Sequence, residues 1–384
     1  MIPPPEKPKI HSLRELASIF LRLGVIGFGG PAAHISMMRE EIVNRKKWLD
    51  DQQFLDLNGA TNLIPGPNST EMAIHIGYLR AGTAGLIVAG VSFILPAMLI
   101  VLGISWIYVR YSRLPEAGWL LYGVKPVVIA IIIQAIIGLS RTAIKNILLG
   151  FSGVAVVLGY FLGFNEVFLL LFAGLFVMLV INAHRIRWTS ASLIIPVLSI
   201  PIKFASQADY SPWVLFTTFI KIGSILYGSG YVLIAYLQAE FVNHLGWLTS
   251  EQVIDAITIG QITPGPVFTT ATFIGYILGG PPAAILATIG IFLPAFVFVA
   301  ISHPFIPKLR ASPWFGGFLD GVNVASLGLM AAVCWQLGKD TLVDWYSLLI
   351  GIFSLILLLH YKINPTWLII GGLVAGTIKY LITG

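Results

Sequence analysis

The chain has 384 residues, 57% of them hydrophobic and 10% charged, with a net charge of +6 and a mean hydropathy of +0.88. Soluble globular domains carry about 25% charged residues, so the composition excludes that class. Uncharged stretches long enough to cross a bilayer, such as Ala84 to Val109, follow one another along the chain. A β-barrel would show short alternating strands instead. The basic residues lie beside apolar spans, where they indicate topology in the lipid bilayer rather than nucleic-acid binding.

The first 16 residues precede the first apolar span. They lack the short apolar core of a cleaved signal peptide, so we expect this segment to be retained. Its Lys7, Lys9 and Arg14 favour a cytoplasmic N-terminus, because basic residues mark the cytoplasmic side of membrane spans.

An internal duplication runs through the chain. Phe20 to Gly30 reads FLRLGVIGFGG and Phe219 to Ser229 reads FIKIGSILYGS, and the same register aligns two Pro-Gly-Pro motifs further on. After the loss of one residue the register continues as far as Gly123 and Gly321. Such self-similarity predicts two copies of one structural unit. The predicted organisation is a first transporter repeat over residues 1–182, a linker over 183–212 and a second transporter repeat over 213–384.

The two repeats are predicted to be inverted relative to each other in the membrane. Residues 39–47 contain four Lys or Arg side chains and the corresponding residues 238–246 contain none, which places the two segments on opposite sides under the positive-inside rule. Arg110 and Arg113 correspond to an equally basic segment at Pro307 to Arg310. These ends do not favour inversion, so parallel repeats stay open as the alternative. We expect an all-α polytopic membrane protein with about 10–13 membrane segments.

Pro-Gly-Pro interrupts apolar sequence at corresponding places in the two repeats. The first copy lies in Asn62 to Thr70, NLIPGPNST, and the second in Gln261 to Thr269, QITPGPVFT. The apolar runs on either side of the first copy are too short to span a bilayer, so each motif predicts a broken or a re-entrant helix. Paired interruptions of this kind indicate the binding site of a transporter, whereas a single copy would be equally typical of a tight turn.

The chemistry predicted at these breaks is anion binding. Pro67 and Pro266 can open a helix at its first position, and a helix N-terminus attracts oxyanions through its unpaired N–H groups and partial positive charge. The candidate substrate-binding residues of the first break are Asn62, Pro65, Gly66, Pro67, Asn68, Ser69 and Thr70. Those of the second break are Gln261, Pro264, Gly265, Pro266, Thr269 and Thr270.

A Gly-Gly-Pro segment near the start of the first repeat, with a glycine-containing counterpart in the second, extends the same prediction. Gly29, Gly30 and Pro31 correspond to a second-repeat segment that contains Gly228 and Gly230. Glycines allow a backbone to approach a ligand closely, and these are further substrate-binding candidates. The alternative is close helix packing through small residues.

Two cations occupy corresponding positions inside the first span of each repeat. Arg22 and Lys221 lie about ten residues inside apolar sequence, where a charge is costly and by default marks a functional site. They are therefore candidates for binding a compact dianion, to which Arg can make bidentate hydrogen bonds. The alternative is that both side chains extend to the membrane surface.

Four further charged residues are candidates for coupling rather than for binding substrate. Glu71 follows the first Pro-Gly-Pro motif and could take up a proton during a transport cycle, or it could only cap a helix. The repeated Glu41 and Glu240 could pair with the two cations or lie at the membrane surface. Lys125 opens an apolar run and could equally be an interfacial anchor.

The motifs FGGPAAHISMM, NLIPGPNSTEMAIHIGY and GQITPGPVFTTATFIGY resemble the chromate ion transporter family in its long form, in which two homologous domains are fused. The resemblance implies a bacterial or archaeal inner-membrane protein that exports chromate and confers chromate resistance. It also implies an antiparallel arrangement of the two halves. Sulfate, a tetrahedral dianion of similar size, is the natural alternative substrate.

Other classes of function stay open. Secondary transport is favoured over ATP-driven transport because no Walker-type loop is present. A passive anion channel could use the same repeats. An intramembrane enzyme would need clustered carboxylates or a His-Glu-x-x-His motif, neither of which occurs, and the single cysteine Cys334 supplies no disulfide or thiolate site. We therefore expect no enzymatic activity, metal or cofactor, and the sequence leaves open whether two copies form a homodimer.

Overall fold

A computed structural model describes residues 10–28, 30–111, 115–183, 209–227, 230–302, 312–361 and 363–383. These residues form helices and the turns between them, and contain no strand, which confirms the all-α fold class. The helices of the first repeat are α1 (Ile10–Ile26), α2 (Gly30–Arg39), α3 (Asp51–Thr61), α4 (Asn68–Tyr111), α5 (Pro115–Ala143), α6 (Ile147–Phe161) and α7 (Glu166–Asn182). Those of the second repeat are α8 (Pro212–Ile225), α9 (Leu233–Leu237), α10 (Ser250–Ile262), α11 (Thr270–Ser302), α12 (Pro313–Thr341), α13 (Trp345–His360) and α14 (Pro365–Thr383).

The sequence duplication is reproduced in the backbone, down to its irregularities. A π-helical segment follows α2 at Glu40–Arg45, and another follows α9 at Gln238–His244. The chain leaves helical geometry within α4 at Gly82, with φ of 59°, and at the corresponding Gly280 within α11, with φ of 70°. Positive φ is a conformation that glycine adopts without steric cost. The glycine at each kink therefore permits the same turn in both repeats.

The kink folds α4 back on itself. In a straight helix Gly77 and Gly85 would lie about 12 Å apart, yet the backbone of Gly77 lies directly against that of Gly85, and Ile74 lies against Gly90. Residues 68–80 therefore form a half-length helix beside the long stretch 83–111. The corresponding Gly275 lies against Ala283 in α11, so each repeat contains one half-length helix that begins at its Pro-Gly-Pro motif.

Five described helices are long and apolar enough to cross a membrane by length and composition. They comprise the helices at Asn68–Tyr111, Tyr122–Ala143, Val267–Ser302, Pro313–Thr341 and Pro365–Ile382. Further apolar helices of 14 to 17 residues, α6, α7, α8 and α13, pack between them. The chain is a multi-pass membrane protein.

Each Pro-Gly-Pro motif is held by the opposite repeat. The backbone N–H of Gly66 donates a hydrogen bond of 2.8 Å to the carbonyl of Leu226, and that of Gly265 donates one of 2.8 Å to the carbonyl of Gly27. Gly66 corresponds to Gly265, and Gly27 corresponds to Leu226. The two bonds therefore exchange between equivalent positions, as expected where a two-fold axis relates two units.

The C-terminal helices of the two repeats are exchanged in the same way. Helix α5 of the first repeat packs against α13 and α14 of the second, and α12 of the second packs against α6 and α7 of the first. Gly123 on α5 lies against Gly372 on α14, and the corresponding Gly321 on α12 lies against Gly174 on α7. The repeats that the sequence separates are thus interlocked in space.

Helices α5 and α12, which correspond in the duplication, run in opposite directions. The side chain of Lys145, just after α5, contacts Asp320 near the start of α12 at 2.6 Å. At the opposite ends, Tyr122 and Lys125 line one cavity together with Asp340 near the end of α12.

We expect Gly123→Ala to destabilise the protein, because its new β-carbon would meet the backbone of Gly372 and Gly376, which cannot move aside as a flexible side chain can. Gly138→Ala on the same helix is the matched control, since nothing lies within 4 Å of that position. Alanine favours helix by up to about 1 kcal/mol over glycine, so the control should be neutral or stabilising. The measurement is the thermal unfolding midpoint in detergent. Equal midpoints would contradict the close α5–α14 packing.

Candidate functional site

A cavity of about 620 Å³ lies where the two repeats meet. It is bounded by residues of both Pro-Gly-Pro regions, by the start of α2 and by the facing ends of α5 and α12. The residues that line it are Pro31, Ala32, Asn62, Pro67, Asn68, Ser69, Leu139, Thr142, Ala143, Lys145, Tyr227, Gly230, Val232, Pro266, Val267, Phe268, Asp320, Asn323, Ser326 and Leu327.

Helix N-termini from both repeats converge on this cavity. The carbonyl of Pro67 accepts the first bond of α4 from the N–H of Glu71 at 2.9 Å, and Pro266 precedes a 3₁₀ turn at Val267–Thr269 that continues into α11. Helix α2 begins at Gly30, with Pro31 at its first turn. The first N–H groups of a helix have no partner within it, so the cavity gathers positive dipole ends that suit an oxyanion.

The polar side chains in the cavity are neutral except for one ion pair. Asn68 donates a hydrogen bond of 2.7 Å to Asn62, and Lys145 pairs with Asp320. The hydroxyl of Ser326 is buried and has no hydrogen-bond partner among the described residues. An unpartnered buried hydroxyl costs free energy, so Ser326 offers a bond that a ligand could complete.

The structure brings seven of the sequence-predicted residues together as cavity lining. These are Pro31, Asn62, Pro67, Asn68, Ser69, Gly230 and Pro266.

The other predicted residues of the two breaks lie behind this lining. Pro65, Gly66, Pro264 and Gly265 form the turns, and Gln261 is half-buried near the end of α10. Thr70, Thr269 and Thr270 are buried in the first helical turns. Gly29 and Gly228 lie outside the described residues.

Lys145, Asp320, Asn323 and Ser326 line the cavity although the sequence did not single them out as site residues. Searching for repeated features could not find Lys145, because its counterpart is the apolar Val343. Asn323 lies where the first repeat has Lys125. The charged member of this pair was the candidate, and the neutral Asn323 was not. Only the packing of α5 against α12 places these side chains opposite the Pro-Gly-Pro motifs.

Arg22 and Lys221 do not line the cavity. Arg22 pairs with Glu41 at 2.5 Å, and Lys221 pairs with Glu240 in the corresponding place. Both carboxylates are buried, with 8% of each side chain exposed, whereas 49% of the Arg22 side chain and 41% of that of Lys221 are exposed. Each cation thus neutralises a buried carboxylate on the π-helical segment that follows in its own repeat.

Glu71 is the most unusual carboxylate of the site. It is fully buried, and neither of its oxygens has a hydrogen-bond partner among the described residues. A β-carbon on Gly66 would collide with its Oε1 atom, so the Pro-Gly-Pro turn closes directly over it. Its counterpart Thr270 instead donates a hydrogen bond of 2.7 Å to the carbonyl of Val267. The two breaks therefore carry different chemistry.

Lys125 lies in a second cavity of about 430 Å³ at the opposite ends of α5 and α12. It pairs with Glu251 and lies 3.4 Å from the buried Asp255, which accepts a hydrogen bond of 2.8 Å from Tyr108. In the part of the chain that the structure describes, no three His, Cys, Asp or Glu side chains come together to hold a metal ion.

Comparisons with known proteins agree with the duplicated fold. The profile of the family described as "Chromate transporter" matches residues 14–179 and again residues 213–377. The chromate transport protein of Cupriavidus metallidurans is 32% identical over 96% of this chain and 94% of its own length. An uncharacterized transporter of Methanocaldococcus jannaschii is 30% identical over 97% and 95%. An uncharacterized transporter of Bacillus subtilis is 30% identical over 44% of this chain but 97% of its own length, so one repeat also occurs as a separate chain. No solved structure matches.

Removal of Lys221 is expected to destabilise the protein, because Lys221→Met leaves the buried carboxylate of Glu240 without its cation. The double variant Lys221→Met/Glu240→Gln should recover most of the lost stability, since the buried charge is then also removed. The measurement is the thermal unfolding midpoint of each variant together with its transport rate. A double variant that is stable but does not transport would instead assign the Lys221–Glu240 pair a direct role in transport.

Proposed function

Because this chain belongs to the chromate transporter family, we propose that it is a secondary transporter that exports chromate across the inner membrane of a prokaryotic cell. Such export lowers cytoplasmic chromate and would confer chromate resistance. The observation that carries the proposal is the cavity between the repeats, where N-termini from both Pro-Gly-Pro breaks meet. Backbone N–H donors that are fixed around the cavity can replace the hydrating water of an oxyanion.

The direction of transport is supported by energetics. An interior that is negative by 100 mV favours the exit of each negative charge by about 2.3 kcal/mol, and a dianion gains twice that. Uptake of the same ion would need an equal driving force from a coupled ion. No chemical step on the substrate is required, which is why transport is favoured over an enzymatic function.

The proposed membrane arrangement is an N-terminus in the cytoplasm and two inverted repeats. It is supported by the basic residues of segment 39–47, which the second repeat lacks, and by the opposite directions of the corresponding helices α5 and α12. Inverted repeats with half-length helices at the interface are the architecture in which alternating access arises by movement of one unit against the other.

Sulfate is the second candidate substrate. Like chromate it is a tetrahedral dianion, and nothing in the cavity distinguishes the two by charge. A channel would use the same cavity, but its flux would not be coupled to the movement of a second ion.

Everted vesicles that contain the protein should accumulate chromate when energised, and the uptake should saturate with chromate concentration. Chromate, sulfate, molybdate and phosphate are compared as competitors, because the tetrahedral dianions should compete most strongly. Vesicles without the protein are the control. Linear uptake together with single-channel currents would indicate a channel, and stronger uptake of sulfate than of chromate would identify a sulfate transporter.

We further propose that Glu71 couples transport to proton movement. An ionised carboxylate that is fully buried without a partner is costly, so this side chain must gain either a proton or a counter-ion within the cycle. Its place in the first turn of α4, behind Asn68 and Ser69 of the cavity wall, puts any change of its charge next to the substrate.

Glu71→Gln should abolish gradient-driven accumulation of chromate but retain exchange of labelled for unlabelled chromate, since exchange needs no net proton movement. Glu40→Gln, which changes a largely exposed carboxylate, is the matched control and should leave both activities unchanged. Accumulation by Glu71→Gln at the rate of the unaltered protein would refute the coupling role.

A further inference from the structure

We propose that Lys145 and Asp320 form a displaceable ion pair, in which the transported anion takes the place of the Asp320 carboxylate on the Lys145 ammonium group. The inference rests on the proposed function, because it assigns a ligand and a conformational role within the same cavity. It adds a substrate-binding cation that neither the Pro-Gly-Pro motifs nor the repeated Arg22 and Lys221 supply.

The geometry places both partners on the cavity wall. The Lys145 Nζ atom lies 2.6 Å from the Asp320 Oδ1 atom, and 58% of the lysine side chain and 26% of the aspartate side chain are exposed. They are the charged residues among those that line the cavity. Ser326, which is 1% exposed and whose hydroxyl has no partner among the described residues, also lines this cavity, about 1.7 turns beyond Asp320 on α12. The Lys145 side chain therefore faces the space that the helix N-termini surround, and an unused donor lies buried in the wall of the same cavity.

Electrostatics favours exchange of the carboxylate for the substrate. Ion pairs with this exposure contribute little to stability, so separating Lys145 from Asp320 costs little. A dianion at the same distance attracts the ammonium group twice as strongly as a carboxylate does. Until substrate arrives, Asp320 holds Lys145 in place and leaves the cavity wall without net charge.

The pair also joins the two repeats mechanically. Lys145 lies in the short turn between α5 and α6, which Asn146 fixes by accepting a hydrogen bond of 3.0 Å from the N–H of Leu149. Asp320 lies on α12 of the other repeat. Substrate that binds Lys145 therefore releases one polar contact between α12 and the α5–α6 turn, which belong to different repeats.

The duplication does not repeat this device. The counterparts of Lys145 and Asp320 are Val343 and Tyr122, and Tyr122 instead donates a hydrogen bond to Asp344, which also binds Lys379 at 2.7 Å. The displaceable pair thus belongs to one end of the α5–α12 pair only. A salt bridge of purely structural value would have no reason to lie among the helix N-termini that line the cavity.

Transport kinetics and anion binding of four variants test the inference. Lys145→Gln should raise the apparent KM for chromate about tenfold, the effect of losing one charge-assisted hydrogen bond, and Lys145→Arg should restore it. Asp320→Asn should lower the KM, because the anion no longer competes with a carboxylate. Lys46→Gln is the matched control, since Lys46 forms a pair of the same length, 2.6 Å, with Glu15 outside the cavity lining.

Binding is also measured, as the shift of the unfolding midpoint with chromate or sulfate in detergent. The two measurements together distinguish failure of the ion-pair inference from failure of the proposed function. Unchanged KM and binding in Lys145→Gln, while the unaltered protein transports, would overturn the ion-pair inference alone. An equal rise of the KM in Asp320→Asn and Lys145→Gln would show a structural pair and would also overturn it. Failure of the unaltered protein to bind or move any of the anions would refute the proposed function and this inference together.

Discussion

The rest of the structure depends on the exchanged backbone hydrogen bonds at the two Pro-Gly-Pro motifs. Non-helical backbone inside a membrane protein has no water to satisfy it and is tolerated only where protein or a cavity supplies partners. Gly66 lies against Ala295 and Gly265 against Ala97, and Ala97 is halfway along the helical stretch 83–111. A single repeat would leave the backbone groups of its Pro-Gly-Pro motif without partners at that depth in the membrane. Each break receives a hydrogen-bond acceptor from the other repeat, the carbonyls of Leu226 and Gly27, so the site needs both repeats.

That constraint explains why the site is shared while its chemistry is not. The exchanged hydrogen bonds fix the direction of the helix N-termini in both repeats. They join backbone atoms, so they do not depend on which side chains are present. Side chains are free to diverge around them. Glu71 stands opposite Thr270 in the duplication, Lys145 opposite Val343 and Lys125 opposite Asn323. A symmetric scaffold that needs both halves can therefore carry a buried carboxylate without a partner and a cavity-lining lysine in one repeat only.

The sequence predicted the fold class, the two repeats and the breaks, and the structure and the family profile confirm the helical, duplicated architecture. These features depend on local rules, since apolar length, proline and glycine act within a few residues. The roles of Arg22 and Lys221 stay predictions, and the structure adds that each pairs with a glutamate on the π-helical segment of its own repeat. The pairing was foreseeable, because Glu41 and Glu240 repeat in the same register as the cations. Their distance from the cavity was not.

By itself, the sequence determined that the chain is a membrane protein, that it contains one unit twice and that a helix breaks at Pro-Gly-Pro in each copy. Apolar composition reflects the lipid surroundings, and proline and glycine act on the backbone within a few residues. Only the tertiary structure decided which side chains face the breaks. Lys145, Asp320 and Ser326 reach the cavity through the crossing of α5 with α12, and contacts between residues about 175 positions apart leave no trace in local pattern. The physical reason is that close packing between helices, unlike helix formation, depends on the shapes of both partners at once.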